Sequence, residues 1–267
     1  MDIELILQDV INLSTIFLEY KIIHNRPGLL GDIASLLGLL NINILNIASI
    51  NNNFRGLLIE LENEVQKKAI YSALKLVKEL DITAFREPNF IDLLALRHGK
   101  RIKPGKEQNY YIFDRSDLDI LIDFLGGYLK KYSNIKIGIK GSPRIGKTET
   151  SIAAAVHANK HWQLLSSTLI RKIARSRISE ELLDGNTVLI IDAITTFRRS
   201  RSEHIKFIKK IVQKNLPIMI EHPEIFIQET DFKMNDFKLI IELIDKNKKD
   251  EKKIIDYTQS FNSFDIG

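Results

Sequence analysis

The chain has 267 residues, of which 44% are hydrophobic and 27% charged, a length and composition suited to two compact domains with apolar cores. The absence of cysteine excludes disulfides, thiolate metal sites and cysteine nucleophiles, and no apolar run approaches the roughly 18 residues that cross a bilayer. The net charge of +5 is concentrated after residue 86, which is compatible with nucleic-acid contact or with a lysine-rich solvated surface.

The first residues, Met1 to Leu5, are acidic where a secretory signal peptide is basic, so a cytoplasmic protein without membrane contact is expected. Hydrophobic periodicity then predicts four strands and two helices in the first 86 residues. The strands cover residues 14–23, 42–50, 56–61 and 81–85, and the helices cover 29–40 and 64–80. The order β-α-β-β-α-β is typical of a ferredoxin-like fold.

The turn before the first helix carries a family signature. Residues 25–33 read NRPGLLGDI and residues 40–44 read LNINI, a pair of segments that resembles the ACT domain. The resemblance implies an amino-acid or similar small effector at this turn and a homodimer built through the domain. Asn25 stands where the family usually has Asp. The implied effector site comprises Asn25, Arg26, Pro27, Gly28, Leu29, Leu30, Gly31 and Asp32.

The residues themselves leave two interpretations of this turn. A helix N-terminus beside Arg26 suits a carboxylate ligand, because both offer positive electrostatic potential. Alternatively, Pro27 and Gly28 only turn the chain, and the domain serves dimerisation alone.

A linker is predicted between the two domains. Residues 87–115 contain prolines, glycines and the basic stretch RHGKR at 97–101, with one amphipathic turn at 91–96. Within it, His98 is either a solvated contact or a catalytic base, and we expect the former. A helix follows at 116–132, with Ser116 as its cap.

The most specific motif is a glycine-rich loop between a predicted strand at 135–140 and an alanine-rich helix at 149–158. It matches G-x-x-x-x-G-K-[ST], in which backbone N–H groups and the lysine bind phosphates and the threonine hydroxyl ligates Mg²⁺. A plain glycine turn explains neither the lysine nor the threonine. The predicted site for ATP or GTP comprises Gly141, Ser142, Pro143, Arg144, Ile145, Gly146, Lys147, Thr148 and Glu149.

A second nucleotide-binding signal follows at residues 187–192, where an apolar strand ends in Asp192. We predict that Asp192 and Thr148 hold Mg²⁺, with Lys147 and Asp192 as the catalytic pair; the alternative is that Asp192 caps the next helix. Ala193 stands where many ATPases have a catalytic glutamate. Hydrolysis would then be slow, or would depend on another carboxylate: Glu149, Glu221 or Glu229.

The C-terminal part leaves several interpretations open. Glu221, His222 and Pro223 follow a strand at 216–220, where they either form part of the site or turn the chain. A terminal hairpin is predicted from residues 237–245 and 254–257, similar to the ends of RecA-like cores. Arg198, Arg199 and Arg201 are read as an ordinary solvated loop, and Arg171, Arg175 and Arg177 as candidate lid residues of a kinase.

Together these patterns predict an α/β protein with an ACT-like domain at 12–86, a linker at 87–115 and a mostly parallel P-loop domain at 116–260. The whole chain also resembles an uncharacterised bacillar family, which implies no activity. We therefore expect a regulatory nucleotide switch or slow NTPase that senses a small metabolite. The alternatives are a small-molecule kinase and a RecA-like ATPase stimulated by nucleic acid, a partner that is less favoured.

Overall fold

The computed structural model describes residues 14–105, 107, 109–165, 186–197 and 202–246. These residues form a mixed α/β structure with a four-stranded antiparallel sheet and a seven-stranded, mostly parallel sheet. None of the helices in these ranges is long and apolar enough to cross a membrane. Several sequence predictions fall outside the ranges: the candidate lid residues Arg171, Arg175 and Arg177, the arginines at 198, 199 and 201, and the strand at 254–257.

The four-stranded sheet is formed by the N-terminal elements in the predicted order. They are β1 (Ser14–Ile22), α1 (Leu29–Leu39), β2 (Asn43–Ile50), β3 (Phe54–Leu61), α2 (Glu64–Lys75) and β4 (Leu80–Arg86). The strands lie in the order β2-β3-β1-β4. Both helices bury apolar side chains such as Ile33 and Leu74 against one face of this sheet. Helix α2 begins at the cap Asn63, whose side chain accepts from Gln66 N, and it ends at Lys75, five residues before the predicted end.

The segment predicted as a linker contains more regular structure than its composition indicated. It forms α3 (Phe90–His98) and two strands, β5 (Lys103–Pro104) and β6 (Tyr110–Asp114). Helix α3 begins with a reciprocal capping box between Asn89 and Asp92 and ends at Gly99, which has a φ of 64°. The helix persists because it is apolar on two sides: Ala95 and Leu96 pack on the four-stranded sheet, and Leu94 belongs to the core of the second sheet.

The seven-stranded sheet has the order β5-β6-β11-β7-β10-β9-β8, and only β5 runs antiparallel to its neighbour. Its remaining strands are β7 (Lys136–Gly141), β8 (His161–Leu164), β9 (Thr187–Asp192), β10 (Ile218–Glu221) and β11 (Leu239–Ile244). Its helices are α4 (Leu118–Lys131), α5 (Lys147–His157), α6 (Ala193–Phe197), α7 (Ser202–Val212) and α8 (Pro223–Glu229). Apolar cores cover both faces, with α4 and α5 on one side and α7 and α8 on the other.

Strand β11 corrects the prediction of a terminal hairpin. It pairs with β6 along one edge and with β7 along the other, so no edge is left for a returning strand. Both neighbours run parallel to β11, which places it inside the sheet. The periodicity of residues 237–245 correctly indicated a strand. The sequence pattern of an apolar strand is, however, the same in a hairpin and in the interior of a sheet.

Candidate functional site

The loop at residues 141–148 connects β7 to α5 at the carboxyl edge of the parallel strands. Gly141 has a φ of 147°, and a Cβ added there would lie 2.8 Å from the carbonyl oxygen of Leu243. Gly146 has a φ of 108° and directly precedes α5. Both glycines are therefore required by the backbone, which bends sharply and begins a helix whose first N–H groups point back toward the loop.

The other side chains of the loop divide between solvent and core. Ser142, Pro143 and Arg144 are exposed, as is Glu149 in the first turn of α5. Ile145 is buried in the core between the sheet and α4, which anchors the loop. The predicted phosphate-binding residues thus lie together, in one loop and the first turn of α5 at the carboxyl edge of the sheet.

Lys147 lies inside this loop. Its side chain is only 6% exposed, and its Nζ donates to the carbonyl oxygens of Gly141 and Ser142, each at 3.0 Å. Burial lowers the pKa of the Lys147 ammonium, while the negative charges of Glu221 and Asp192 act in the opposite direction. The loop therefore holds the Lys147 ammonium where burial disfavours its charged form. An anionic ligand beside it would stabilise that charged form.

Glu221 is the carboxylate in direct contact with the loop. It is 4% exposed, and its Oε1 accepts a 2.6 Å hydrogen bond from the Thr148 hydroxyl. Burial raises the pKa of the Glu221 carboxyl; the Thr148 hydrogen bond opposes the rise, and the charge of Asp192 adds to it. Of the three glutamates that the sequence offered in place of Ala193, the structure brings this one to Thr148.

Strand order explains this placement. Strand β10 lies between β7 and β9, and Glu221 is in register with Ile139 on one side and Asp192 on the other. The sequence identified the carboxyl end of β10 as a candidate edge but contained no signal for its neighbours. Glu221 therefore lies in the middle of this edge because of the strand order, which the sequence does not show.

Asp192 makes the capping contacts that the sequence offered as an alternative. Its Oδ1 accepts from the backbone N–H of Ile194 at 3.0 Å and of Thr195 at 3.4 Å, at the start of α6. In the described part of the chain, no donor contacts its Oδ2. The same ranges contain no group of three or more His, Asp or Glu side chains arranged to hold a metal.

His222 and Pro223 perform the turning function that the sequence left open. His222 has a φ of 57°, and Pro223 is the first residue of α8. The His222 ring is buried, and its Nδ1 lies 3.3 Å from Glu224 Oε1. The pair turns the chain directly after Glu221, so that β10 ends at the site.

The turn at residues 25–32 lies on the four-stranded sheet, at the start of α1. Arg26 Nη2 donates to Asp32 Oδ2 at 2.6 Å, and Arg26 Nε lies 3.6 Å from Glu79. Leu29 is buried in the core, whereas Asn25, Pro27, Gly28, Leu30 and Gly31 are exposed. Arg26 and Asp32, the two charged residues of the implied effector site, thus pair with each other on the surface.

A buried charge cluster centred on Asp123 was not predicted. Asp123 lies on α4; its Oδ2 contacts His98 Nε2 at 2.9 Å and Arg97 at 3.0 Å, and its Oδ1 contacts His157 Nδ1 at 2.9 Å. His98 is thus a mostly buried contact of α4, and the expectation of a solvated side chain is wrong. The cluster ties α3 to α4 and to the last turn of α5, the helix that begins at the loop.

Replacing Asp123 with alanine is expected to lower the free energy of unfolding by about 2 kcal/mol, because two mostly buried imidazoles lose their hydrogen-bond acceptor. Urea denaturation measures the change. The control is Asp119→Ala on the same helix, whose exposed carboxylate lies 3.5 Å from His98 and should contribute little. Equal losses in the two variants would contradict a structural role specific to Asp123.

Comparison with known proteins gives one family and one close relative. A family model described as "Protein of unknown function (DUF3388)" matches residues 82–265. The chain is 38% identical over 250 residues to a Bacillus subtilis (strain 168) protein described as "Uncharacterized protein YmfK", covering 93% of this chain and 92% of the relative. Among solved structures, phospho-2-dehydro-3-deoxyheptonate aldolase from Thermotoga maritima aligns over 86% of this chain and 69% of its own, with 12% identity and a TM-score of 0.22.

Proposed function

We propose that this chain, which belongs to the DUF3388 family, binds ATP or GTP with Mg²⁺ and acts as a regulatory switch or slow NTPase. The observation that carries the proposal is the position of Lys147 and Thr148. Both begin α5 on a glycine loop at the carboxyl edge of a parallel sheet, beside Glu221 and Asp192. Ligands of α/β proteins bind at such edges, and a helix N-terminus attracts phosphates.

The residues present suit a nucleotide triphosphate and its metal ion. Backbone N–H groups of the loop and the Lys147 ammonium would hold the phosphates, and Thr148 and Asp192 offer the oxygen ligands that Mg²⁺ prefers. A bound Mg²⁺ neutralises developing charge on the phosphates. Within this arrangement Glu221 would accept a proton from a water molecule, because burial raises the pKa of its carboxyl.

Slow turnover follows from the residues around Asp192. Ala193 is fully buried and carries no carboxylate, and Glu221 is already hydrogen-bonded to Thr148. We expect basal phosphate release by the isolated protein to stay well below roughly 10 s⁻¹, the median for enzymes. Steady-state phosphate release measures this, and fast turnover without any additive would favour an enzyme over a switch.

For the N-terminal sheet we propose an ACT-like role, in which the domain senses an amino acid or similar metabolite and forms a homodimer. The βαββαβ order supports the fold assignment, as does the turn sequence at 25–32. The edge strand β2 exposes Leu45 and Ile47, which suits the sheet-to-sheet pairing by which such domains dimerise.

A thermal-unfolding screen of the full chain separates this proposal from its alternatives. A ligand that binds only the folded state stabilises it by RT ln(1 + [L]/Kd), so ATP or GTP with Mg²⁺ should raise the unfolding temperature. Stabilisation by single-stranded or duplex DNA, but not by nucleotide, would favour a nucleic-acid-binding protein. A lack of response to any nucleotide would contradict the proposal.

A further inference from the structure

Among the described residues, cavities of about 380, 360 and 400 Å³ open at three places. The one of about 360 Å³, between the two sheets, is lined by charged groups that the nucleotide site does not use. Its walls come from β1 and β4 of the four-stranded sheet, from α3, and from residues 101, 102, 104 and 111 before and within β6. Apolar surface is supplied by Phe17, Ile102 and Tyr111, and polar groups by Glu19, Thr83 and Arg101. This volume is sufficient for a small metabolite.

Glu19 is a buried carboxylate with one oxygen to spare. It is 5% exposed, and its Oε2 accepts a 2.6 Å hydrogen bond from the Thr83 hydroxyl and a second hydrogen bond from Arg101. No donor among the described residues contacts its Oε1. Because a buried polar oxygen without a hydrogen-bond donor is costly, Oε1 indicates a hydrogen-bonding ligand in the cavity.

The other buried acid of the cavity is already satisfied. Asp92 accepts from both terminal nitrogens of Arg86, at 2.6 and 3.0 Å, and from the backbone N–H of Asn89 at 2.8 Å. Asp92 and Arg86 therefore neutralise each other and shape the wall formed by α3. The carboxylate with capacity for a ligand is Glu19.

Arg101 supplies the opposite charge at the mouth of the cavity. Its side chain is 42% exposed, its guanidinium lies over the Phe54 ring at 4.8 Å, and its Nη2 donates to Glu19. Its Nε and Nη1 contact no acceptor in the described ranges. These two nitrogens form a fork suited to a carboxylate.

We infer that this cavity binds a small zwitterion, with an ammonium on Glu19 Oε1, a carboxylate on Arg101 and an apolar body against Phe17, Ile102 and Tyr111. Glu19 and Arg101 touch each other, so the two charges of the ligand must also be close together, as they are in an α-amino acid. The inference rests on the proposed sensing role and places effector binding in the cavity, away from the turn, where the paired Arg26 and Asp32 side chains are both exposed.

The test is calorimetric titration of the full chain, without nucleotide, with each of the common L-amino acids. We expect at least one with an apolar side chain to bind at a single site. Glu19→Gln and Arg101→Gln should each weaken its binding roughly tenfold or more, because each removes a charge-assisted hydrogen bond. Arg26→Gln is the matched control at the turn and should bind like the parent.

A further variant tests the cavity without removing either charged group. Ala84 lies opposite Glu19 on β4 and lines the cavity, so Ala84→Leu should fill it and abolish binding with both charges retained. Circular dichroism checks the fold of each variant. The inference is overturned if no amino acid binds the parent, or if Arg26→Gln abolishes binding while Glu19→Gln and Ala84→Leu retain it. A parallel ATP titration reports on the nucleotide proposal alone, so that either can fail without the other.

Discussion

Replacing Lys147 with alanine is expected to weaken binding of ATP or GTP by at least roughly 100-fold, because two charge-assisted hydrogen bonds to phosphate, which together contribute about 3–6 kcal/mol, are lost. Lys147 is the cation that the loop encloses, and its Nζ already lies among the loop carbonyls. Equilibrium dialysis of parent and variant measures the change. The variant should remain folded, because burial of this charge is unfavourable to the nucleotide-free protein.

The matched control is Lys140→Ala. Lys140 precedes the loop on the same strand, and its ammonium lies over the Tyr110 ring at 5.6 Å, so the variant removes an equal charge outside the loop. It should bind nucleotide within about twofold of the parent, because the Lys140 ammonium is half-buried against the Tyr110 ring and is not part of the loop. If Lys147→Ala binds as tightly as Lys140→Ala, the loop is not the nucleotide site.

Replacing Glu221 with glutamine is expected to lower NTP hydrolysis about 100-fold and to stabilise the nucleotide-free protein. Loss of a general base typically costs 10²- to 10⁴-fold in rate. Glutamine keeps the shape and can still accept from Thr148, but it cannot take a proton from water. Single-turnover phosphate release and thermal unfolding of the same preparation measure the two effects.

The stability effect depends on pH in a defined direction. Burial raises the pKa of Glu221 in the folded protein above its unfolded value, so the folded state holds a proton that the unfolded state has lost. The free energy of unfolding therefore falls as pH rises from the unfolded pKa through the folded pKa. Glu221→Gln removes this fall in stability. The variant's gain in free energy of unfolding over the parent should therefore be larger at pH 8 than near pH 5.

Glu229→Gln serves as the control for hydrolysis, because Glu229 is exposed at the end of α8. It should change neither hydrolysis nor the pH dependence of stability. If Glu229→Gln lowers hydrolysis and Glu221→Gln does not, the assignment of the proton-accepting carboxylate to Glu221 is wrong.

The sequence predicted the parts of the structure that depend on neighbouring residues. The loop between β7 and α5 is an example, since Gly141 and Gly146 mark the backbone bends directly. The order of the first six elements is another, because alternating and helical periodicities are local signals. Their four strands form one antiparallel sheet.

What the sequence did not reveal depends on contacts between distant segments. Strand order in the large sheet placed Glu221 next to Thr148, 73 positions away in the chain. Helix α3 looked like a linker because its two apolar sides serve two different sheets and so blur the helical periodicity. The one visible sign of the Asp123 cluster was an acidic residue among the apolar positions of α4.

Nucleotide binding by the glycine-rich loop is best measured by calorimetric titration of the parent protein with ATP and with GTP, in Mg²⁺ and in EDTA. We expect saturable binding of at least one nucleotide at a single site, tighter with Mg²⁺ than without it. Thr148→Ala should reduce the difference between the two conditions, because the Thr148 hydroxyl is the proposed metal ligand. Absence of binding by both nucleotides, or binding that is equally tight in Mg²⁺ and EDTA and unchanged in Thr148→Ala, would contradict nucleotide binding by this loop.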